Sequence, residues 1–353
     1  MIAALRTMYR SENNWDIIAL SRRVIVGSAL ALLVCAASLV LRGLNLGIEF
    51  RGGAVWEVPA LDGVSTDDMS GAAADVGVPD ARVQLITGGE DIFRIRGELV
   101  ADDEGAPVRV AEALAGAAGV SVDEVSARTV SPSFGDEVAG KARRALVVFF
   151  ALIAAYLWAR FEWKMSLAAL IAVGHDIVLT VGLYALAQFE VTPSTVVAFL
   201  TIMGYSLYDT IVVFDRVKDN ERALGAKSRV TYRALANVSL NQVLMRSVNT
   251  TVTSVLPVLS LLVIGSVIMG ATSLQEFAIA LLIGLLVGSF SSVFVAMPVV
   301  TFLKSRELHW AELARASTLA DQHTTMDLAV TALAADHYTR STVPRPRKLG
   351  RRR

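Results

Sequence analysis

The chain has 353 residues, 54% of them hydrophobic and 19% charged, and 33 Lys and Arg balance 33 Asp and Glu to a formal net charge of zero. A mean hydropathy of +0.53 leaves too little surface charge for a wholly soluble fold of this length, so membrane segments are expected. The single cysteine, Cys35, lies in an apolar run, which excludes a disulfide framework or a thiolate metal cluster within the chain.

Residues 1–23 read as a cytoplasmic N-terminal segment carrying Arg6, Arg10, Arg22 and Arg23. A spanning helix needs about 20 mostly apolar residues, and Val24–Leu44 supplies them. That run is too long for a signal-peptide core and lacks a small-x-small cleavage site, so it is expected to remain as the first membrane helix. Residues 45–144 have ordinary soluble composition and are expected to form one small domain outside the cytoplasm. Ala54–Val58 alternates as a strand does, and Thr66–Val76 is Ala-rich behind a Ser/Thr/Asp cap. Arg82–Thr87 and Asp91–Arg96 read as a hairpin turning at Gly88 and Gly89. Pro107–Ala118 is again helical, and Ser121–Val130 is extended. The order β-α-β-β-α-β is the ferredoxin-like split pattern. It contains neither Cys nor His nor a phosphate-cradling loop, so an interaction domain is expected here, and no enzyme.

Five more spans follow in residues 145–303. Ala145–Ala159 is short, with Arg160 placed to reach the headgroups. Met165–Phe189 and Ser194–Phe214 come next. Val243–Ile264 is diluted at its start by Asn249, Thr250, Thr251, Thr253 and Pro257, and Leu274–Leu303 closes the set. The expected fold is therefore an α-helical membrane protein with six transmembrane helices and a small ferredoxin-like α+β periplasmic domain. Basic residues cluster before the first helix, after the second (Arg160, Lys164) and after the fourth (Arg216, Lys218, Arg222, Lys227, Arg229, Arg233). The short loops around Glu190 and Gly270 have none, so both termini are expected to be cytoplasmic in an inner membrane. Lys141, Arg143 and Arg144 run against this pattern, but they follow a long translocated domain, where the rule is weak. The basic tail, residues 304–353, ends in the Arg- and Pro-rich stretch Pro344–Arg353 and is expected to be disordered there. Anionic lipid and ribosomal RNA are alternative contacts to simple solvation.

Ionisable groups inside spanning helices are costly, so each calls for a functional hypothesis. Asp209 is the sharpest, about a turn and a half from the cytoplasmic end of the fourth helix, with Tyr205 and Ser206 on roughly its face and Tyr208 adjacent. Gly204 permits another helix to approach closely. An acid that alternates between a desolvated setting and the neighbourhood of Arg246 can take up a proton on one side and release it on the other. A static Asp209–Arg246 pair is the plainer alternative. His175 and Asp176 lie near the middle of the third helix, where adjacent side chains point about 100° apart. They fall short of a metal site, and hydrogen bonding between helices is the favoured reading. Glu276, near the outer end of the sixth helix, reads as interfacial. No cofactor is expected.

These residues carry a resemblance. Gly204-Tyr205-Ser206-Leu207-Tyr208-Asp209-Thr210-Ile211-Val212-Val213-Phe214-Asp215-Arg216 closely resembles the fourth-helix signature of the SecF family of bacterial protein-export subunits. Gly47-Ile48-Glu49-Phe50-Arg51-Gly52-Gly53 is similar to the segment after that family's first helix, and His175-Asp176 to the pair in its third. Ser239-Leu240-Asn241-Gln242 with Arg246 resembles the start of its fifth, and Gly284 to Pro298, with Gly-x-x-x-Gly at Gly284 and Gly288, its last. The ordered set spans roughly residues 20–305. Tyr208 departs from the family, which often has Asn there, and Arg51 stands where a small hydroxyl residue is common.

The resemblance implies one half of an RND-type bundle, the other half being SecD. It further implies binding to SecYEG, use of the proton motive force to promote preprotein translocation, and YajC and YidC as possible further partners alongside membrane lipid. Asp209 would carry the proton and Arg246 would modulate it. An RND-like exporter half for small molecules or lipids, and a non-transporting membrane assembly scaffold, are the competing readings. The first would want a larger outside domain, and the second predicts that neutralising Asp209 is harmless. Intramembrane proteolysis is weaker, because His175-Asp176 is not a zinc motif.

Overall fold

The computed structural model describes residues 15–61, 63–87, 91–98, 105–224, 230–268, 272–316 and 330. Arg6, Arg10, Gly88, Gly89, Lys227, Arg229, Gly270 and the Pro344–Arg353 stretch lie outside the described residues. The chain enters through α1 (Ile17–Arg42), whose first turn is capped by Asp16 accepting from the Ala19 N–H at 3.0 Å. It leaves the membrane through β1 (Asn45–Leu46) and the single turn α2 (Ile48–Arg51).

The domain expected outside the cytoplasm, called the outer domain on that expectation, runs β2 (Gly53–Pro59), α3 (Thr66–Asp75), β3 (Arg82–Ile86), β4 (Ile92–Gly97), α4 (Ala106–Ala118) and β5 (Ser126–Val130). Its sheet has the order β3-β4-β2-β5, antiparallel throughout, which is the ferredoxin-like arrangement. Alternation along the strands splits the sheet into two unlike faces. Ala54, Trp56, Val58, Phe93 and Ile95 are buried against Met69 and Ala73 of α3 and Val110 and Leu114 of α4. The Trp56 indole N–H is not stranded there, since it donates to the Pro107 carbonyl at 3.0 Å. α3 starts with a capping box in which Ser65 and Asp68 bond reciprocally. The Ser65 hydroxyl and N–H hold the Asp68 carboxyl below the usual carboxylate range.

The membrane helices follow as α5 (Pro132–Arg160), α6 (Trp163–Ala187), β6 (Glu190–Val191), α7 (Pro193–Leu224), α8 (Tyr232–Leu262), α9 (Thr272–Ser291) and α10 (Met297–Lys304). A short α11 (Leu308–Ala316) lies beyond them. Among the described residues six helices are long and apolar enough to span, counting α9 and α10 as one through the π turn Ser292–Ala296. α6, α7 and α9 form the centre of the bundle, while α1, α5 and α8 leave most of their length exposed. α9 approaches α7 closely because it carries no side chain at two contacts. A Cβ on Gly284 would run into Ile202, and one on Gly288 into Ser206. β1 and β6 pair in parallel, Asn45 with Glu190 and Leu46 with Val191, where the bundle meets the outer domain.

Three boundaries differ from the apolar runs. α5 begins at Pro132, so residues 132–144 are the outer end of the second helix instead of domain loop. Its first turn is set by the Ser131 cap and is packed on α2: a Cβ on Gly52, at φ 81°, would meet the Pro132 backbone. α7 continues to Leu224 and α8 begins at Tyr232, so most of the expected 215–242 loop is helical. Polar residues are tolerated there because they find partners across helices. Asn220 Nδ2 donates to Ser239 Oγ at 2.9 Å and to Gln242 Oε1 at 2.8 Å, and Asn241 Nδ2 donates to the Trp15 carbonyl at 2.8 Å. An apolar run measures what lipid covers, and a helix can continue past it.

Candidate functional site

α7 carries polar side chains toward two different neighbours. On one side Ser206 Oγ donates to Asp176 Oδ2 of α6 at 2.6 Å, and Ser291 Oγ of α9 donates to the same oxygen at 2.8 Å. The other oxygen, Asp176 Oδ1, lies 3.1 Å from His175 Nδ1, and His175 Nε2 lies 2.6 Å from Ser28 Oγ of α1. Both residues are buried, and together they tie four helices at one level of the bundle. The adjacent ring and carboxylate bond to each other despite the 100° step between their Cα–Cβ directions. Directly below, Thr210 Oγ1 and Ser292 Oγ are 2.8 Å apart, and Ser292 also donates to the Ser206 carbonyl at 3.2 Å. The π turn after Ser291 widens α9 at this point, a distortion that recurs at functional sites.

On the other side Asp209 turns toward α8. Ser247 Oγ donates to Asp209 Oδ1 at 2.8 Å. Asp209 Oδ2 is buried and accepts from no described donor. Tyr205 points the same way: it donates to the Thr250 carbonyl at 2.8 Å and accepts from Ser254 Oγ at 2.7 Å. Ser206, expected on roughly that face, turns instead to Asp176. Arg246 does not pair with Asp209. Its Nη2 donates to the Tyr208 hydroxyl at 3.3 Å, and both Tyr208 and Arg246 are exposed. Gly204 is exposed as well, and a Cβ there would meet no atom of the described residues outside its own helix.

A second polar cluster sits where the sheet meets the bundle. Arg94 donates to Glu57 Oε1 at 3.0 Å and pairs with Glu276 Oε1 of α9 at 3.3 Å. Arg96 pairs with Glu190 Oε1 at 2.5 Å and donates to Gln84 Oε1 at 2.7 Å. Glu276 is therefore an ion-pair partner and not a merely interfacial carboxylate. Sequence reasoning passed over Arg94, Arg96, Glu190, Ser28, Ser247 and Ser291. The readable signal was the i, i+2 spacing of the two arginines, which places both on one face of a strand. The serines gave none, since hydroxyls are common in apolar helices.

The sequence pattern described as "Protein export membrane protein SecD/SecF, C-terminal" matches residues 110–306, and the "SecD/SecF GG Motif" matches residues 37–60. The chain is 41% identical over 301 residues to the protein translocase subunit SecF of Streptomyces coelicolor, covering 85% of this chain and 79% of that one. It belongs to the SecF family of protein translocase subunits. A SecF of Mycobacterium tuberculosis is 35% identical over 311 residues, covering 86% and 70% of the two chains. The crystal structure of SecDF from Thermus thermophilus, a translocon-associated membrane protein, superimposes with a TM-score of 0.73 at 29% identity. It covers 84% of this chain but only 39% of that longer chain. The GG segment of this SecF-family chain holds Gly52 and Gly53, at φ 81° and 124°. A Cβ on Gly53 would meet the Gly97 carbonyl, so this glycine lets β2 leave α2 directly into the sheet. Both intramembrane aspartates fall inside the longer match.

Proposed function

We propose that this chain sits in the bacterial inner membrane with both termini cytoplasmic, pairs with a SecD chain, and uses the proton motive force to promote preprotein translocation through SecYEG. Asp209 is the proton-carrying residue, and Arg246 modulates it through Tyr208. The observation that carries this reading is the Asp209 carboxylate, buried beside α8 with one oxygen bonded to Ser247 and the other without a partner among the described residues. A buried oxygen of that kind is where a proton can be accepted without breaking an existing bond. Each charge moved through the potential supplies about 2.3 kcal/mol per 100 mV. The SecD partnership is supported by a Thermus thermophilus relative named SecDF, which is 32% identical over 290 residues, of whose length this chain covers 38%. The exposed strip of Gly204, Tyr208 and Arg246 beside Asp209 is where that partner would close the site.

The test uses inverted vesicles carrying this chain with SecD and SecYEG. Preprotein is advanced partway with ATP, and completion is followed with and without an imposed proton gradient. In Asp209→Asn the gradient-dependent completion is expected to vanish while the complex with SecD still assembles. Unchanged completion would remove Asp209 from the proton path and favour a scaffold role.

A further inference from the structure

The sheet face turned away from α3 and α4 carries Glu57, Arg94 and Arg96, and it meets the outer ends of the helices through these charges. Register places Glu57 opposite Arg94 and Val55 opposite Arg96, so both arginines project from β4 on this face, two residues or about 7 Å apart. Arg94 reaches a helix, and Arg96 reaches the short strand that leads into the next one. Arg94 holds Glu276 in the first turns of α9, and Arg96 holds Glu190 in β6, three residues before α7 begins. Arg96 and Glu190 keep only 8% and 9% of their side-chain surface exposed. Cavities of about 520 and 480 Å³ flank these pairs, and all four residues line both, so little apolar packing backs the contact. The Tyr184 hydroxyl of α6 donates to the Glu276 carbonyl at 3.2 Å and fixes the start of α9 from the other side.

α9 and α7, the helix that β6 leads into, are also the two that the intramembrane network binds together. α7 and α9 meet at Gly284 against Ile202 and Gly288 against Ser206, and they share the Asp176 carboxylate and the Thr210–Ser292 contact. We propose that Arg94 and Arg96 are positioning residues that couple the outer domain to α9 and α7, Arg94 gripping the outer end of α9 and Arg96 the strand β6 that leads into α7, from neighbouring sites on a single strand. This rests on the reading in which α7 carries the working acid. A buried ion pair tolerates little displacement, because its desolvation cost is offset only in good geometry. A shift of α9 against α7 therefore must turn the sheet or break a pair. Such a joint transmits movement at the Asp209 level to the domain without any flexible linker.

The experiment uses the full chain with SecD in nanodiscs, on a Cys35→Ser background. Spin labels go at Asp75→Cys on α3 and Leu41→Cys on α1, both exposed. The parent is expected to give one narrow distance distribution. Arg94→Gln with Arg96→Gln should broaden it and cut gradient-dependent completion by more than about tenfold, since each leaves a buried carboxylate unpaired. The exchanged pair, Arg96→Glu with Glu190→Arg, should restore a narrow distribution and most of the completion, which a merely misfolded domain would not do. A distribution that stays narrow in the double glutamine variant overturns the joint, and so does an exchange that restores neither readout. Asp209→Asn alone should leave the distribution narrow. If that variant completes translocation unchanged while the glutamine variant broadens the distances, the proton assignment falls and the joint stands.

Discussion

Asp176 of α6 and Asp209 of α7 are both buried aspartates, and the Ser206 that bonds Asp176 lies about one helix turn from Asp209, yet the fold surrounds them differently. Asp176 receives Ser206 and Ser291 on one oxygen and His175 on the other. Asp209 receives Ser247 on one oxygen and nothing described on the other. A fully bonded carboxylate is a structural tie, because any change at it breaks several bonds at once. A half-bonded one can change its protonation at the cost of little rearrangement. The sequence singled out both acids, but only their surroundings separate a fastener from a working group.

That contrast is open to measurement by unfolding the purified chain in detergent. Asp176→Ala leaves Ser206, Ser291 and His175 without their shared partner, and at about 1–3 kcal/mol for each buried polar group left unsatisfied the expected loss is about 3 kcal/mol or more. Ser291→Ala removes one of the two serine bonds to the same Asp176 oxygen and should cost about 0.5–1.5 kcal/mol. Asp209→Ala removes a single hydrogen bond together with a buried acid, so its melting curve should stay within about 1.5 kcal/mol of the parent while transport is lost. Equal losses at the two aspartates would erase the distinction.

Asp16, outside the spans, offers a smaller and pH-readable version of the same bonding rule. Burial works to raise its carboxyl, but the Ala19 N–H, Asn237 and Arg233 together outweigh that and hold it below its usual range. A carboxyl lowered by folding contributes stability at and above its unfolded range and loses it as pH falls through the folded value. The parent and Asp16→Asn should therefore differ at neutral pH and converge in acid; a constant difference down to the lowest accessible pH would count against these bonds.

Much of the fold was legible in the chain itself. The spans declare themselves because lipid demands long apolar runs, and the outer domain does so because strand alternation and the Ser65 cap are local. Boundaries were less legible. Residues 132–144 and the flanks of the 215–242 region are polar, and partners distant in sequence support their helices, as Asp16 does by accepting from Asn237 at 2.7 Å. At the site, Asp209, Arg246, His175 and Asp176 stood out as polar residues in apolar surroundings. Their pairing did not, and Arg246 reaches Tyr208 instead of Asp209.

By itself the sequence determined the six spans, the ferredoxin-like order of the outer domain and the identity of the intramembrane acids, since each depends on residues near one another in the chain and on the solvent around them. The tertiary structure alone decided which acid is tied and which is left half-bonded. It also decided that Glu190 and Glu276 meet two arginines of one strand. Those outcomes depend on which helix faces which, and that is set by close approaches such as Gly288 on Ser206 between residues far apart in sequence.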